Sequence, residues 1–519
     1  MTVDGAAGVA TSCAPATDAA VSVLRRGGNA VDAAVAAAFA LAVCEPSGSG
    51  LGGQASMLVA VAGEPVLAVD GHSRAPMAVT RRDVRRHDQI SGYRACTVPT
   101  LTSVLGLAQA RWGALAWPLV LEPAIVLAEE GYRLTRIARR QLGWAAGVLC
   151  RDPYAAQTFL PAGQVPKPGS IIRQPRLATT LRRLARDGAH DFYSGQLARD
   201  IVRGMCEAGG LLTAADLTAA AAPRVRSTLR RTRGGAVIDT LPAPGGGLVL
   251  LVALLTLADQ RISAPLGMSA LLPALATRAA HAARDAAAER PADDGTDLDT
   301  LLEDAIKRCA TDGMWPTDSG GRATGPVDRE PPGDTTHLSV TDGTGTMVSL
   351  TSSIQSLFGA KVMAGELGFF WNNYLRTCPR RPSPYRLAPG CLPRSNAAPT
   401  IVSQPGGAPY LAVGAAGSRR ITSSLVQVLS GILDTDASLT AAVCAPRVHA
   451  TKREAWVEKA LLAELPPTAL PVRPRHEHDY MMGAVQGVAR HSAGLVEAVA
   501  DPRRAGLAWS GVPLDAGPP

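Results

Sequence analysis

Apolar residues along this chain recur at two spacings, and the alternation between them outlines a mixed α and β protein. Positions 31–43 are almost all Ala, Val, Leu or Phe, which predicts an Ala-rich helix able to pack closely. Asn29 is its expected cap, because the side chain can accept a backbone N–H of the first turn. Helical spacing predicts further helices at 19–25, 111–127, 180–186, 197–207 and 421–433, and another at 248–257 after the turn Pro242-Ala243-Pro244-Gly245-Gly246-Gly247. Short apolar and β-branched runs predict strands at 57–61 and 65–69, joined across Ala62-Gly63-Glu64. More strands follow at 338–340, 347–352, 400–402, 410–413 and 456–457, and a last one at 494–499. Between 316 and 333 the periodicity stops; Gly, Pro, Asp and Arg there predict an exposed, mobile loop. No internal repeat emerges.

A chain of 519 residues, 46% of them hydrophobic, is long enough to bury a large core in two to four folding units. Its charge of +8 reflects 52 basic against 44 acidic residues, with arginines in short clusters such as Arg81-Arg82 and Arg230-Arg231. Without long basic blocks or interleaved aromatics, nucleic acid is not an expected partner; a mild attraction for small anions is. Nine cysteines without a CxxC pair support neither a disulfide framework nor a zinc site. No metal or cofactor set stands out either, and His337 and His449 read as packed, hydrogen-bonding side chains. The start at Met1-Thr2-Val3-Asp4-Gly5 lacks a signal-peptide pattern. The longest apolar run, 33–44, is shorter than the about 20 residues that span a bilayer. The expectation is a cytoplasmic protein that does not enter a membrane.

Candidate chemistry centres on Asp334-Thr335-Thr336-His337-Leu338-Ser339-Val340. A threonine that becomes a new N-terminus holds nucleophile and base in one residue, since its freed amine can take the proton of its own hydroxyl. The same residues also suit the start of an ordinary half-buried strand.

The order of motifs resembles the γ-glutamyltransferase family of N-terminal-nucleophile hydrolases over nearly the whole chain. The motifs begin with Gly27-Gly28-Asn29-Ala30-Val31-Asp32 and Glu45-Pro46-Ser47-Gly48-Ser49-Gly50-Leu51-Gly52-Gly53. Phe192-Tyr193-Ser194-Gly195, Gly209-Gly210-Leu211-Leu212-Thr213 and Asp216-Leu217 follow. After Thr335-Thr336-His337 come Asn372-Asn373, Pro399-Thr400-Ile401-Val402, Ala445-Pro446-Arg447-Val448-His449, Gly483-Ala484-Val485-Gln486 and Asp501-Pro502-Arg503. The resemblance implies an α+β fold, a four-layer αββα sandwich, and a precursor that cuts itself between Asp334 and Thr335. Residues 1–334 and 335–519 would then form a heterodimer of its own products within one αββα unit. An acyl-enzyme on Thr335 would pass its acyl group from a small-molecule donor to water or an amine.

Roles carry over residue by residue. Ser353 stands where the family has a threonine beside the nucleophile, and Gly417 and Ser418 match the Gly-Gly pair whose N–H groups form the oxyanion hole. Several substrate-binding positions depart from the family. His72 stands for a carboxylate-binding Arg, with Arg74 two residues on, and imidazole cannot reproduce a guanidinium fork. Gln355 replaces Asn. Tyr374, Arg376 and Thr377 follow the Asn-Asn pair where an acidic residue is usual, and Ser395-Asn396 replaces Ser-Ser. The segment 375–394 takes the place of the family's flap and is short, which implies an open pocket. Retained catalysis with altered recognition implies a donor other than ordinary glutathione. By analogy with actinobacterial relatives in secondary-metabolite pathways, one alternative is an acyl hydrolase of antibiotic biosynthesis that cleaves a C–C bond. Others are a noncatalytic binding scaffold and, from Gly71-His72-Ser73-Arg74-Ala75, an unrelated serine hydrolase, although that serine lacks a strand-turn-helix context.

Overall fold

A computed structural model of the chain describes residues 6–259, 269–287, 298–311, 334–380, 383–451, 454–465, 471–491 and 494–512. The expected loop at 316–333 lies outside them. Two antiparallel sheets form the centre. The first orders its seven strands as Leu507–Gly511, Ala7–Thr11, Thr336–Thr341, Met347–Ser353, Gln54–Ala60, Leu67–Asp70 and Arg224–Ser227. The second orders six as Val496–Ala500, Ala484–Arg490, Pro409–Ala416, Thr400–Ser403, Ala236–Thr240 and Leu229–Arg233.

Alternation along Thr336–Thr341 explains how the layers stack. Leu338 and Val340 face the helices Ala14–Arg25 and Ala30–Cys44, whereas His337 and Ser339 face the other sheet. Between the sheets lies a thin core of small and medium side chains, including Ala10, Leu58, Met347, Ile401, Ala412 and Val488. On the far side, helices Gly247–Ala258 and Arg420–Thr435 cover the second sheet through Leu251 and Leu425, and helix Leu272–Ala287 packs on both of them. The four layers are the expected αββα sandwich. His337 needs room between the sheets, and Gly414 provides it: a Cβ there would lie 2.1 Å from His337 Cε1.

Local signals placed many elements well. The helix Ala30–Cys44 is buried at every position, and Asn29 caps it as expected, with Asp32 completing a capping box. Two expectations need correction. The helix expected at 111–127 is two helices, Leu101–Trp112 and Trp117–Glu130. The intervening turn is held by Asp32 Oδ2, which accepts from Ala114 N at 2.8 Å and Leu115 N at 3.3 Å. Nor is 494–499 the last strand. Its counterpart is Val496–Ala500, and Leu507–Gly511 follows to close the edge of the first sheet against Ala7–Thr11. Among the described residues no helix is long and apolar enough to cross a membrane.

Candidate active site

Strand register assembles the centre of the site. Thr336 pairs with Ser352 across the hairpin, so the next pair outward is Thr335 with Ser353; Ser353 in turn pairs with Gln54 on the neighbouring strand. Three strand ends thus meet at one edge. Thr335 Oγ1 lies 2.8 Å from the carbonyl oxygen of Asp334 and 3.1 Å from Ser353 Oγ. Ser353 Oγ is 3.1 Å from that same carbonyl oxygen and accepts from Gln355 N at 2.9 Å. Ser353 can accept the Thr335 proton while donating its own to the Asp334 carbonyl, which both activates a nucleophile and polarises its target.

A buried charged cage holds Asp334. Its Oδ2 accepts from Ser47 Oγ at 3.0 Å and Gln141 Nε2 at 2.8 Å, and its Oδ1 accepts from the N–H of Thr335 at 3.0 Å. Arg504 pairs with Oδ1 as well and reaches Glu45 Oε1 at 2.9 Å. One cation therefore serves two buried carboxylates. Burial pushes the Glu45 carboxyl up to about 7, with Asp334 adding to the rise and Arg504 opposing it. Arg504 lies over the ring of Tyr480, 4.4 Å from its centroid. The preceding Arg503 is anchored by Glu458 at 2.8 Å and Asp501 at 3.2 Å, and Asp501 also pairs with Arg447 at 2.6 Å. The motifs at 445–449 and 501–503 thus hold one another and set Arg504 in place. Gly48 completes the cage by its smallness, since a Cβ there would come within 3.3 Å of Asp334 Cγ and 3.4 Å of the Thr335 carbonyl carbon. A cavity of about 60 Å³ adjoins it, bounded by Glu45, Ser47, Gln141 and Arg504 at one end and by Leu134, Leu142 and Phe159 elsewhere.

On the other side of Thr335 the groups are mostly neutral. The Tyr374 hydroxyl lies near the side chains of Ser353, Ser395 and Gln54, and burial pushes it up to about 12. Gln54 Oε1 accepts from Ser73 Oγ at 2.7 Å; Thr97 Oγ1 links Ser73 at 2.7 Å to Asn372 Oδ1 at 2.8 Å. His72 bonds Asp70 Oδ1 through Nδ1 at 2.5 Å, leaving the buried Nε2 without a hydrogen-bond partner among the described residues. Burial would raise Asp70, but His72 and then Arg226 outweigh it and hold the carboxyl at about 2.

The remaining expected residues spread more widely. Gly417 and Ser418 end the strand Pro409–Ala416 at φ 129° and 59°, just before the helix Arg420–Thr435. Among the described residues neither N–H has an intramolecular acceptor, leaving both amides available to an oxyanion. Ser395 is buried against Tyr374, whereas Asn396 packs its backbone on Gly246. Gln355 adopts φ 81° and accepts from Ser356 Oγ at 2.5 Å. Thr377 Oγ1 turns back to the Tyr374 carbonyl at 3.0 Å, and Arg376 sits half-buried on the same turn. Arg74 is exposed and donates to Gly390 O at 3.2 Å, so it meets the segment after Tyr374 and not the Thr335 cluster. Sequence reasoning assigned no role to Glu45, Ser47, Gly48, Gln54, Gln141 or Arg504. Glu45, Ser47 and Gly48 fall inside a family motif and Arg504 immediately follows one, which was the available signal. Gln54 and Gln141 carried none. Among the described residues no group of three or more His, Cys, Asp or Glu is placed to hold a metal ion.

Comparison with known proteins places the chain in a family. The family model described as Gamma-glutamyltranspeptidase matches residues 16–510. The chain is 32% identical over 481 residues to the Acylase ACY 1 proenzyme of Pseudomonas sp. (strain V22), covering 88% of this chain and 83% of that protein. It is 30% identical over 523 residues to the oxamate amidohydrolase proenzyme of Klebsiella pneumoniae, covering 95% and 96%. Among solved structures, the cephalosporin acylase from Bacillus halodurans matches with a TM-score of 0.82 at 26% identity, over 97% of this chain and 95% of that one.

Proposed function

The chain belongs to the gamma-glutamyltranspeptidase family of self-processing N-terminal-nucleophile enzymes, and on that premise we propose that it cuts itself between Asp334 and Thr335 and then uses Thr335 to take an acyl group from an amide donor. The observation that carries this reading is the Thr335 hydroxyl, 2.8 Å from the Asp334 carbonyl oxygen while Ser353 Oγ stands 3.1 Å from the same atom. In self-cleavage, Thr335 Oγ attacks the Asp334 carbonyl carbon and the C–N bond breaks, giving an ester. Water then releases the Asp334 carboxylate, leaving Thr335 with a free amine and a regenerated hydroxyl. Asp334 Oδ1, already bonded to the scissile N–H, is placed beside the nitrogen that must gain a proton.

In turnover the freed amine draws the proton from Thr335 Oγ, and the amides of Gly417 and Ser418 meet the oxyanion. The acyl part of the donor lies toward Tyr374, Ser395 and His72. Neutral hydroxyls fill the place where a γ-glutamyl group would require charged partners, which favours a donor other than glutathione. Resemblance to an acylase and to an oxamate amidohydrolase supports an amide. Denaturing electrophoresis tests the first step: two bands, one beginning at Thr335, are expected, and one full-length band overturns it. Thr335→Ala should stay uncut and inactive; if that variant still cleaves and turns over, another nucleophile is at work. Mass added to the Thr335 chain on trapping with candidate amides identifies the acyl group, and addition only of γ-glutamyl would overturn the proposed specificity.

A further inference from the structure

The acyl chemistry uses none of the nine cysteines, yet two of them face each other beside the acyl pocket. We propose that Cys378 and Cys391 form a reversible disulfide that clips the base of the segment between them. Their sulfurs are 3.7 Å apart. That is wider than the about 2.05 Å of an S–S bond and close enough for side-chain rotation with a small backbone adjustment to close it. Tyr374 precedes the first cysteine by four residues and Ser395 follows the second by four, and the two side chains lie near each other and near Ser353. The two cysteines thus stand where this segment leaves the pocket and returns to it.

The surroundings hold both sulfurs in place without burying them equally. Gln89 Nε2 donates to the Cys378 carbonyl at 3.0 Å, and Ala75 N donates to the Cys391 carbonyl at 2.9 Å. Cys378 is buried with Ala75, Val79, Leu375 and Leu387, whereas Cys391 is half-buried and accessible to a small oxidant. The hydrogen bond from Cys378 draws the Cys391 thiol down to about 7, with Arg74 assisting, so thiolate is present near neutral pH. By contrast, Cys13 and Cys44 are both buried.

A low-molecular-weight disulfide such as oxidised glutathione supplies the two-electron oxidant. The Cys391 thiolate attacks one of its sulfurs, forming a mixed disulfide and expelling one small thiolate. Cys378 then gives up its proton and attacks Cys391 Sγ, expelling the second. Two cysteine thiols are oxidised, one small disulfide is reduced to two thiols, and the released thiolates take up the protons. The clip shortens the span between the sulfurs and restrains the rim that carries Tyr374 and Ser395. Bond formation is independent of the acyl-transfer reading; only the description of this rim as part of the acyl pocket rests on it.

Peptide mapping of the intact protein, incubated with oxidised glutathione, alkylated and digested without reduction, tests the bond directly. The expected product is one linked pair containing Cys378 and Cys391, lost on treatment with dithiothreitol. Recovery of the two cysteines separately alkylated, or each capped by glutathione, overturns the proposal. Cys378→Ser should leave Cys391 as a mixed disulfide with glutathione, and linkage of Cys391 to another cysteine in the wild type would sink the assignment. Tryptic cleavage after the exposed Arg386 should slow several-fold on oxidation in the wild type and not in Cys378→Ser; an unchanged rate refutes the restraint even if the bond forms.

Discussion

The two sides of Thr335 are built from different chemistry. On the Asp334 side, buried charges close around a group that belongs to the chain itself: Arg504 binds Asp334 and Glu45, with Ser47 and Gln141 filling the remaining acceptor sites. On the Ser353 side, Tyr374, Ser395, Gln54 and Ser73 form a neutral network. On the proposed function, the contrast follows from what each side would hold. A covalently attached residue arrives at fixed geometry, so dedicated charges can be paired in advance of the single cut. A ligand that enters and leaves at each turnover is better met by hydroxyls, whose loss of solvation on being exposed and covered again is smaller than that of ions.

Removing the charge on the Asp334 side should have the largest effect. Arg504→Met leaves two buried carboxylates without their cation, a change that typically costs about 3–5 kcal/mol. Full-length uncut or insoluble protein is expected on gels; normal processing would mean that the cage does not position Asp334. Gly48→Ala is subtler, because the added methyl comes within 3.3 Å of Asp334 Cγ. It should slow self-cleavage roughly ten-fold, equivalent to about 1.4 kcal/mol, measured by the decay of the full-length band after synthesis, with little change in melting of the mature protein.

Tyr374→Phe probes the neutral side. Losing one buried hydroxyl from its network should cost about 1 kcal/mol, a several-fold fall in turnover of the trapped donor, while self-cleavage proceeds at its normal rate. Equal damage to both steps would erase the distinction between the two sides. A separate expected effect is a pH dependence. Folding raises the Glu45 carboxyl from 4.5 to about 7, so the folded form binds the extra proton between those values. The stabilisation this group provides is full below pH 4.5 and lost as pH rises through 7. In the uncut Thr335→Ala protein, Glu45→Gln should flatten that part of the melting-temperature profile. Buried His337, pushed down to about 3 by burial, acts with the opposite sign, losing stability as pH falls below 6.5.

Much of this arrangement is legible in the sequence. The Asn29 cap and the apolar run after it mark the buried helix Ala30–Cys44, and the motif order marks Thr335 and Ser353. The helix expected at 111–127 breaks at local signals, the cap Gly113 and Pro118 in the first turn of the next helix, and Asp32, distant in sequence, holds the turn between them with its carboxylate. Arg74 is a reasonable candidate for an anion, but an isolated arginine carries no record of where its side chain points; here it reaches Gly390. Tyr374 is marked by its place after Asn372-Asn373, yet nothing local announces that its hydroxyl meets Ser353, Ser395 and Gln54.

By itself, then, the sequence marked those features whose signals are short in range: the helix cap, the strand at 338–340, and the candidate nucleophile with its candidate partner Ser353. Tertiary structure alone decided which charges surround Asp334. Arg504 lies 170 residues away from it in sequence, and Glu45 and Gln141 come from two different helical regions. Burial strengthens such pairings by excluding water, and burial depends on how the layers close around a site, which no local pattern of side chains encodes.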